Sequence, residues 1–269
     1  PIKDVLWRKA RRLLLPMLVV GTLFAVVQAF KPGANQQPVT WTQLHLIPVA
    51  HYWFIESLFW IFALTALLDR MRWLSSPQAI GACWLGATAL FLTGIGTPWL
   101  GISGAIYLCP FFLQGFATAR LELGHRLSTG RWQLLLLILL IANLWVIGVP
   151  QAQADRRTAA MLLAGIASTQ LLSTTGWQSA ALIRLGASSY AVYLLHVFFT
   201  ASTRIGLMHA GLNLLAWEVP LGVAAGIAGP YLVERWALAR PWAALLLLGQ
   251  YRKPKASSVG WRRDVCQHP

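Results

Sequence analysis

A single histidine interrupts the apolar stretch GASSYAVYLLHVFFTASTR, residues 186–204. At helical spacing, His196 shares one face with polar side chains that recur every three or four residues: Ser189, Tyr193, Thr200 and Thr203. A neutral imidazole can take a proton from a hydroxyl group, and a phenol can donate a hydrogen bond to a developing negative charge. This polar stripe predicts that His196 lines an internal cavity instead of facing lipid.

Three more ionisable side chains, His51, Glu56 and Glu218, also lie within or beside apolar stretches. A charge at the centre of a membrane-spanning helix costs about 2.5–3.5 kcal/mol on insertion scales, so each of them needs a reason to be there. A rise of 1.5 Å per residue places all four ionisable groups in the outer half of the bilayer, with His196 about 12 Å from the outer end of its span. This shared depth indicates a polar site within the membrane.

Each of these three residues also has a structural interpretation. A neutral His51 can hydrogen-bond to a loop, and it does not share a helix face with Glu56, which is five residues away. Glu56 can pair with an arginine, accept bonds from hydroxyl groups or be protonated. Glu218 can be an interface residue whose carboxylate reaches the headgroup region.

The elements that must position these residues are long apolar helices. Of 269 residues, 57% are hydrophobic and only 11% are charged, with a mean hydropathy of +0.58, which excludes a soluble globular domain. Eight stretches reach or approach the length that crosses a hydrocarbon core of about 30 Å: 13–30, 52–68, 78–95, 101–119, 132–149, 158–175, 185–203 and 212–233. We therefore predict an all-α, polytopic transmembrane bundle with about eight spans.

The charge distribution predicts the orientation of this bundle. The net charge is +14, and with the N-terminus inside only four of the 22 Lys and Arg residues fall outside: Lys31, Arg156, Arg157 and Arg204. This positive-inside bias predicts that both ends are cytoplasmic. It accounts for the basic charge without a nucleic-acid partner, and it favours contact with anionic membrane lipids. Residues 1–235 form the predicted membrane domain, and 236–269 form a basic cytoplasmic tail.

The residues give no sign of a metal site or of a disulfide framework, since the His and Cys residues have no ligand-like spacing within one segment. The motif RKARRLLLP can bind phosphate through arginine, although positive-inside charge alone explains its basic residues. Intramembrane His and Glu in one half of the bilayer are also what a proton-coupled transporter would use. That alternative stays open at this point.

Three segments, in this order, resemble acyltransferase family 3, the integral-membrane O-acyltransferases of bacteria. RKARRLLLPMLVV resembles the basic-then-proline entry to the family's third span, HYWFIESLFWIF resembles the signature that opens a later span, and LGASSYAVYLLHVFF resembles the signature near the C-terminus. The resemblance covers residues 8 to about 235. YLVERWALARP departs from the family's E-[KR]-P pattern, since its proline comes six residues after Arg235.

The resemblance implies a multi-pass protein of the bacterial inner membrane that needs no bound cofactor. Its donor substrate would be acyl-CoA, and its acceptor a hydroxyl of an extracytoplasmic glycan or lipid-linked saccharide, modified with an acetyl or succinyl group. It implies ten spans, so we expect this chain to lack the first two, where the family carries a basic residue and the histidine that would serve as base. A catalytically incomplete remnant is therefore a further alternative.

The resemblance also carries site residues to matched positions. His51 and Trp53 match the first signature, whereas Tyr190, Tyr193 and His196 match the second. We assign His196 and Tyr193 to orienting the acceptor or donating to the oxyanion, and we count His51 with them as a catalytic candidate.

The remaining candidates would support catalysis or bind substrate. Glu56 is at a position where the family varies, and we expect it to hold a histidine in its productive tautomer. Trp53 and Tyr190 are the predicted substrate-binding aromatics. The basic entry would steer the phosphates of CoA through three arginines: Arg8, Arg11 and Arg12.

Overall fold

The computed structural model describes residues 2–30, 40–123, 130–148, 157–174, 179–212 and 214–250. Within these ranges the chain forms α1 (Ile2–Ala29), α2 (Trp53–Arg70), α3 (Pro77–Leu92), α4 (Ile102–Arg120), α5 (Gly130–Gly148), α6 (Ala159–Thr174), α7 (Ala180–Ala187), α8 (Ser189–His209), α9 (Leu215–Leu238) and α10 (Pro241–Leu248). Three short 3₁₀ turns complete it: Trp41–Gln43, Ala50–Tyr52 and Trp99–Gly101. The described residues contain no β-strand, and the all-α prediction is confirmed.

Five helical segments in the described residues are long and apolar enough to cross a membrane. They are Ile2–Ala29, Ala50–Arg70, Trp99–Arg120, Ser189–His209 and Leu215–Leu238. The other three predicted stretches coincide with the shorter apolar helices α3, α5 and α6. The chain is thus a multi-pass membrane protein, whereas the count of eight spans and the cytoplasmic ends stay predictions.

The core that positions the site joins α1, α2 and α8. On α1 the buried side chains recur at helical spacing and form one face: Leu13, Met17, Val20 and Phe24. They pack against Tyr52, Ile55, Leu194 and Leu195. The Tyr52 hydroxyl donates to the carbonyl oxygen of Leu194 at 3.0 Å and so joins the start of α2 to α8.

Small residues let α8 and α9 pack closely. A Cβ at Gly226 would lie 2.7 Å from the Cγ2 atom of Thr200, and one at Gly229 would lie 2.2 Å from the ring of Phe199. Only glycine permits this approach, as is typical of helix pairs in membranes.

At the end of the bundle that we call the loop end, segments 40–52 and 94–101 meet. The Leu100 N–H donates to the carbonyl oxygen of Leu46 at 2.7 Å, and the Trp60 indole donates to the carbonyl oxygen of Leu100 at 2.9 Å. Gly101 has φ +65°, and a Cβ there would lie 2.8 Å from the Cβ atom of Glu56. Both the backbone conformation and the space therefore require glycine.

The opposite end, which we call the basic end, contains the first part of α1, which carries Arg8, Arg11 and Arg12. Helix α10 packs there, and Gly249 lies directly against the backbone of Arg11 and Arg12. Helix α9 also extends to Leu238. The structure therefore places 236–250 with the bundle, although the predicted tail began at 236, and 251–269 lie outside the described residues.

Candidate active site

Two half-buried histidines, one in the turn Ala50–Tyr52 and one on α8, lie side by side. The ring centroids of His51 and His196 are 5.1 Å apart, with an angle of 61° between the ring planes. The Tyr193 hydroxyl donates to the backbone carbonyl of His51, and its ring centroid lies 5.4 Å from that of the His51 ring. These three residues form what we call the histidine pair and its tyrosine.

The short turn Ala50–Tyr52 holds His51 in this position. Ala50 has φ +48°, a left-handed conformation that is costly for a residue with a side chain and that is often found beside functional sites. The Phe24 ring meets His51 edge-on at 6.2 Å and Tyr52 at 5.9 Å. Aromatic packing therefore fixes the turn against α1.

The backbone of α8 sets the tautomer of His196. Its Nδ1 atom lies 3.0 Å from the carbonyl oxygen of Val192 and 2.9 Å from that of Tyr193. Because carbonyl oxygens only accept hydrogen bonds, Nδ1 must carry the proton. The Nε2 atom then has the lone pair, which gives His196 the form that a general base requires.

His196 and Tyr193 line a cleft of about 570 Å³ between α7, α8 and α9, which we call the α8 cleft. Its wall includes Gly186, Ser189 and Ile227. His196 thus borders a cleft, and its predicted place in an internal cavity stays a prediction.

Helix α8 has other bounds than the predicted span 185–203, since it begins at Ser189 and continues to His209. At 1.5 Å per residue His196 lies about 10 Å from the first residue of α8 and about 20 Å from the last. The predicted depth, about 12 Å from the outer end of the span, stays a prediction.

The α8 cleft adjoins that basic end. The Tyr190 hydroxyl donates to the carbonyl oxygen of Leu13 at 3.1 Å, so the start of α8 is joined to α1 directly after Arg11 and Arg12. Arg8 and Arg12 are exposed, and Arg11 is half-buried. Tyr190 itself packs in the core and lines none of the cavities described here, so the structure gives it a joining role.

A second cavity, of about 600 Å³, lies at the loop end. This loop-end pocket is lined by Ala50, Trp53, Ser103, Tyr107 and Arg157, among others. The guanidinium group of Arg157 donates to the carbonyl oxygen of Ile95 at 2.7 Å and to the Ser103 hydroxyl at 2.7 Å. The pocket thus offers aromatic faces and polar atoms together.

Gly104 of α4 holds Trp53 in the wall of this pocket. A Cβ at Gly104 would lie 2.4 Å from the indole ring of Trp53, so only glycine leaves room for the ring. His51 lies between Ala50 and Trp53 in the chain, and its ring contacts Tyr193 and His196 of the α8 cleft. One member of the histidine pair thus lines the α8 cleft, and the other belongs to a turn whose first residue, Ala50, lines the loop-end pocket.

The structure does not give Glu56 the predicted contact with a histidine. Its side chain is buried, and neither carboxylate oxygen has a hydrogen-bond partner among the described residues. The tautomer of His196 is instead set by backbone carbonyls of its own helix. Glu218 forms an ion pair with Arg204, in which the Nε–Oε2 distance is 4.0 Å.

Sequence reasoning missed His45. Its ring packs against Gly21, its Nε2 atom lies 2.9 Å from the Thr22 hydroxyl, and its φ is +63°. Burial lowers the pKa of this imidazole below its ordinary value, so it stays neutral near pH 7. The apolar run LHLIP within an otherwise polar loop was the available signal.

Replacing Tyr193 by phenylalanine is expected to lower the activity of this site about tenfold or more, because His51 loses the bond that holds its backbone beside His196. The matched control is Tyr190→Phe on the same helix, which also removes one hydroxyl-to-carbonyl bond. Each bond contributes about 0.5–1.5 kcal/mol to stability, so the two variants should unfold alike. Activity per folded protein and thermal unfolding measure the two effects. Equal loss of activity in both variants would contradict a specific role for Tyr193.

Comparison with models of known protein families identifies a match over most of the chain. A model of acyltransferase family 3, described as an acyltransferase domain, matches residues 1–235. Neither a curated protein nor a solved structure matches the chain.

Proposed function

Since this chain belongs to acyltransferase family 3, we propose that it is an O-acyltransferase of the bacterial inner membrane that moves an acetyl or succinyl group from acyl-CoA to a hydroxyl of an extracytoplasmic glycan. The observation that carries the proposal is the histidine pair, which brings a residue of the α8 cleft together with a residue of the turn beside the loop-end pocket. A reaction between a donor from one side of a membrane and an acceptor on the other needs a base placed between two such openings. Family membership favours this reaction over proton-coupled transport.

The donor would enter at the basic end. Arg8, Arg11 and Arg12 supply planar, permanently charged donors that suit the phosphates of CoA. The start of α8 is joined to α1 beside them, and the α8 cleft opens from that start toward His196. Its largely apolar wall suits the pantetheine arm and the acyl group.

The acceptor would occupy the loop-end pocket, where its ring would stack on Trp53. About 600 Å³ falls within the range of small-molecule sites and leaves room for a sugar unit. Ser103 and Tyr107 place a hydroxyl and a phenol in the same wall. This assignment supports a hydroxylated acceptor without selecting one glycan.

From the resemblance we expected another histidine to be the base and His196 to orient the acceptor or donate to the oxyanion. We propose here that His196 is itself the base, because its helix backbone sets the tautomer that a base requires. Its Nε2 atom would take the proton of the acceptor hydroxyl as that oxygen attacks the thioester carbonyl carbon. The Nε2 atom of His51 is buried, with no hydrogen-bond partner among the described residues, and would donate to the developing oxyanion when protonated. The C–S bond then breaks, and His196 returns its proton to the leaving thiolate of CoA.

Membrane vesicles from cells that make the protein test this proposal. Acetyl-CoA or succinyl-CoA with a labelled acyl group is supplied to the cytoplasmic face, and the lipid-linked saccharide fraction is then examined for label. We expect label as an ester that mild alkali releases, absent from vesicles of cells without the protein. Release of free acid and CoA with no ester on saccharide would overturn the acceptor assignment, and no dependence on the protein would overturn the reaction.

A further inference from the structure

A third cavity, apart from the histidine pair, lies between α2, α3 and α4. This apolar groove has a volume of about 460 Å³. Leucine, isoleucine and alanine side chains form most of its wall, and the free thiols of Cys83 and Cys109 are its other notable groups. Trp60 and Trp73 contribute indole rings to the same wall. Such a surface offers almost no hydrogen bonds, so its natural occupant is a hydrocarbon chain.

Contacts between α3 and α4 keep the groove open. The Trp84 indole donates to the carbonyl oxygen of Pro110 at 3.1 Å, and the Phe91 ring packs on Tyr107 at 5.4 Å. Between these contacts α3 presents Gly86 and Ala87, whose small side chains leave the space unfilled. A Cβ at Gly86 would meet no atom within 4 Å, other than the nearby backbone of its own helix.

Positive charge lies at one end of this groove. Helix α2 ends at Arg70, and the following turn carries Arg72 directly before Trp73 of the groove wall. Both arginines are exposed, and Arg72 has φ +63°. Asp69 is 3.8 Å from Arg120, so the one described carboxylate of this turn already has a cationic partner. An anion beside Arg70 and Arg72 would therefore meet little competition from the turn itself.

We propose that this groove is a binding site for one anionic phospholipid, with an acyl chain between α2, α3 and α4 and the phosphate beside Arg70 and Arg72. A hydrocarbon groove that ends at two exposed arginines matches the two parts of that molecule. Helices of a multi-pass protein are surrounded by such lipids, so the occupant is present at high concentration. The inference does not rest on the proposed acyl transfer.

Native mass spectrometry of the purified protein in mild detergent, with added phosphatidylglycerol, tests the acyl-chain part. Gly86→Phe should place its ring in the groove and reduce retained lipid about tenfold, because the chain and the ring cannot share the space. Gly81→Phe is the matched control, since that glycine also faces open space on α3 but does not line the groove. Equal lipid retention by the two variants would overturn the proposal.

The headgroup part has its own test. Replacing Arg70 and Arg72 by glutamine should remove the preference for phosphatidylglycerol over phosphatidylcholine, and added salt should weaken that preference in the unsubstituted protein. A preference that survives both changes would overturn the placement of the phosphate.

Because Gly86→Phe can lose lipid through a folding defect, a second test leaves the groove unsubstituted. In delipidated Cys266→Ser protein, the two groove thiols, Cys83 and Cys109, are the only ones left to react with a maleimide. Adding phosphatidylglycerol should slow their labelling about tenfold, because the acyl chain covers both sulfur atoms. Unchanged labelling would overturn the site.

Discussion

Replacing His196 by alanine is expected to lower the rate of acyl transfer by about 10²–10⁴-fold, the range that a positioned general base supplies. Helix α8 should remain folded, because the His196 side chain hydrogen-bonds only through Nδ1, to backbone carbonyls of its own helix. His196→Gln should be as inactive, since the amide keeps the cavity polar but offers no basic nitrogen. The rate of ester formation on the acceptor is the measurement.

The same helix offers a close control. His209 also places its Nδ1 atom 2.8 Å from a backbone carbonyl four residues earlier, that of Ile205, but it is exposed and lines no cavity described here. His209→Ala therefore removes the same local bond without touching the α8 cleft. If both alanine variants keep near-normal transfer, His196 is not the base of the reaction.

Replacing His51 by alanine should lower acyl transfer by about 10²–10³-fold, the loss expected when one donor to an oxyanion is removed. The double variant His51→Ala/His196→Ala should be far less impaired than the product of the two single losses. Residues that act together on one transition state show such non-additivity, because the second removal has little left to remove. Ester formation is measured for the unsubstituted protein, the two single variants and the double variant, and it gives the coupling between His51 and His196.

His45→Ala is the control for His51. It removes a half-buried histidine from the same loop and breaks one bond, that to Thr22, at a cost of about 0.5–1.5 kcal/mol in stability. Its transfer rate per folded protein should remain normal. Loss of transfer equal to that of His51→Ala would mean that the loop as a whole, and not the histidine pair, is responsible. If the loss of transfer in the double variant equals the product of the two single losses, His51 and His196 act independently.

The apolar helices were predictable because each is determined locally. A helix in a membrane satisfies its own backbone hydrogen bonds, so about 20 apolar residues suffice to specify it. All eight predicted stretches accordingly coincide with helices, although α3 and α6 are shorter than predicted. The polar stripe around His196 was readable for the same reason, since residues at helical spacing share a face whatever surrounds the helix.

The ends of the helices were less predictable, because hydropathy does not mark the residue at which a helix begins or ends. Helix α8 starts at Ser189 and reaches His209, whereas the predicted stretch ran from 185 to 203. Helix α10 was too short to be recognised as a span, and its packing on α1 depends on a glycine that contacts a distant backbone. Such contacts leave no periodic pattern in the sequence.

By itself the sequence determined a multi-pass helical membrane protein, its family motifs and a polar face on α8. Only the tertiary structure placed His51 beside His196, left Glu56 without a histidine and assigned the Tyr190 hydroxyl to α1. These outcomes depend on how three separate helices and two loops pack around one core. The spacing of residues within a helix fixes which side chains share a face, but only packing between helices decides what that face meets.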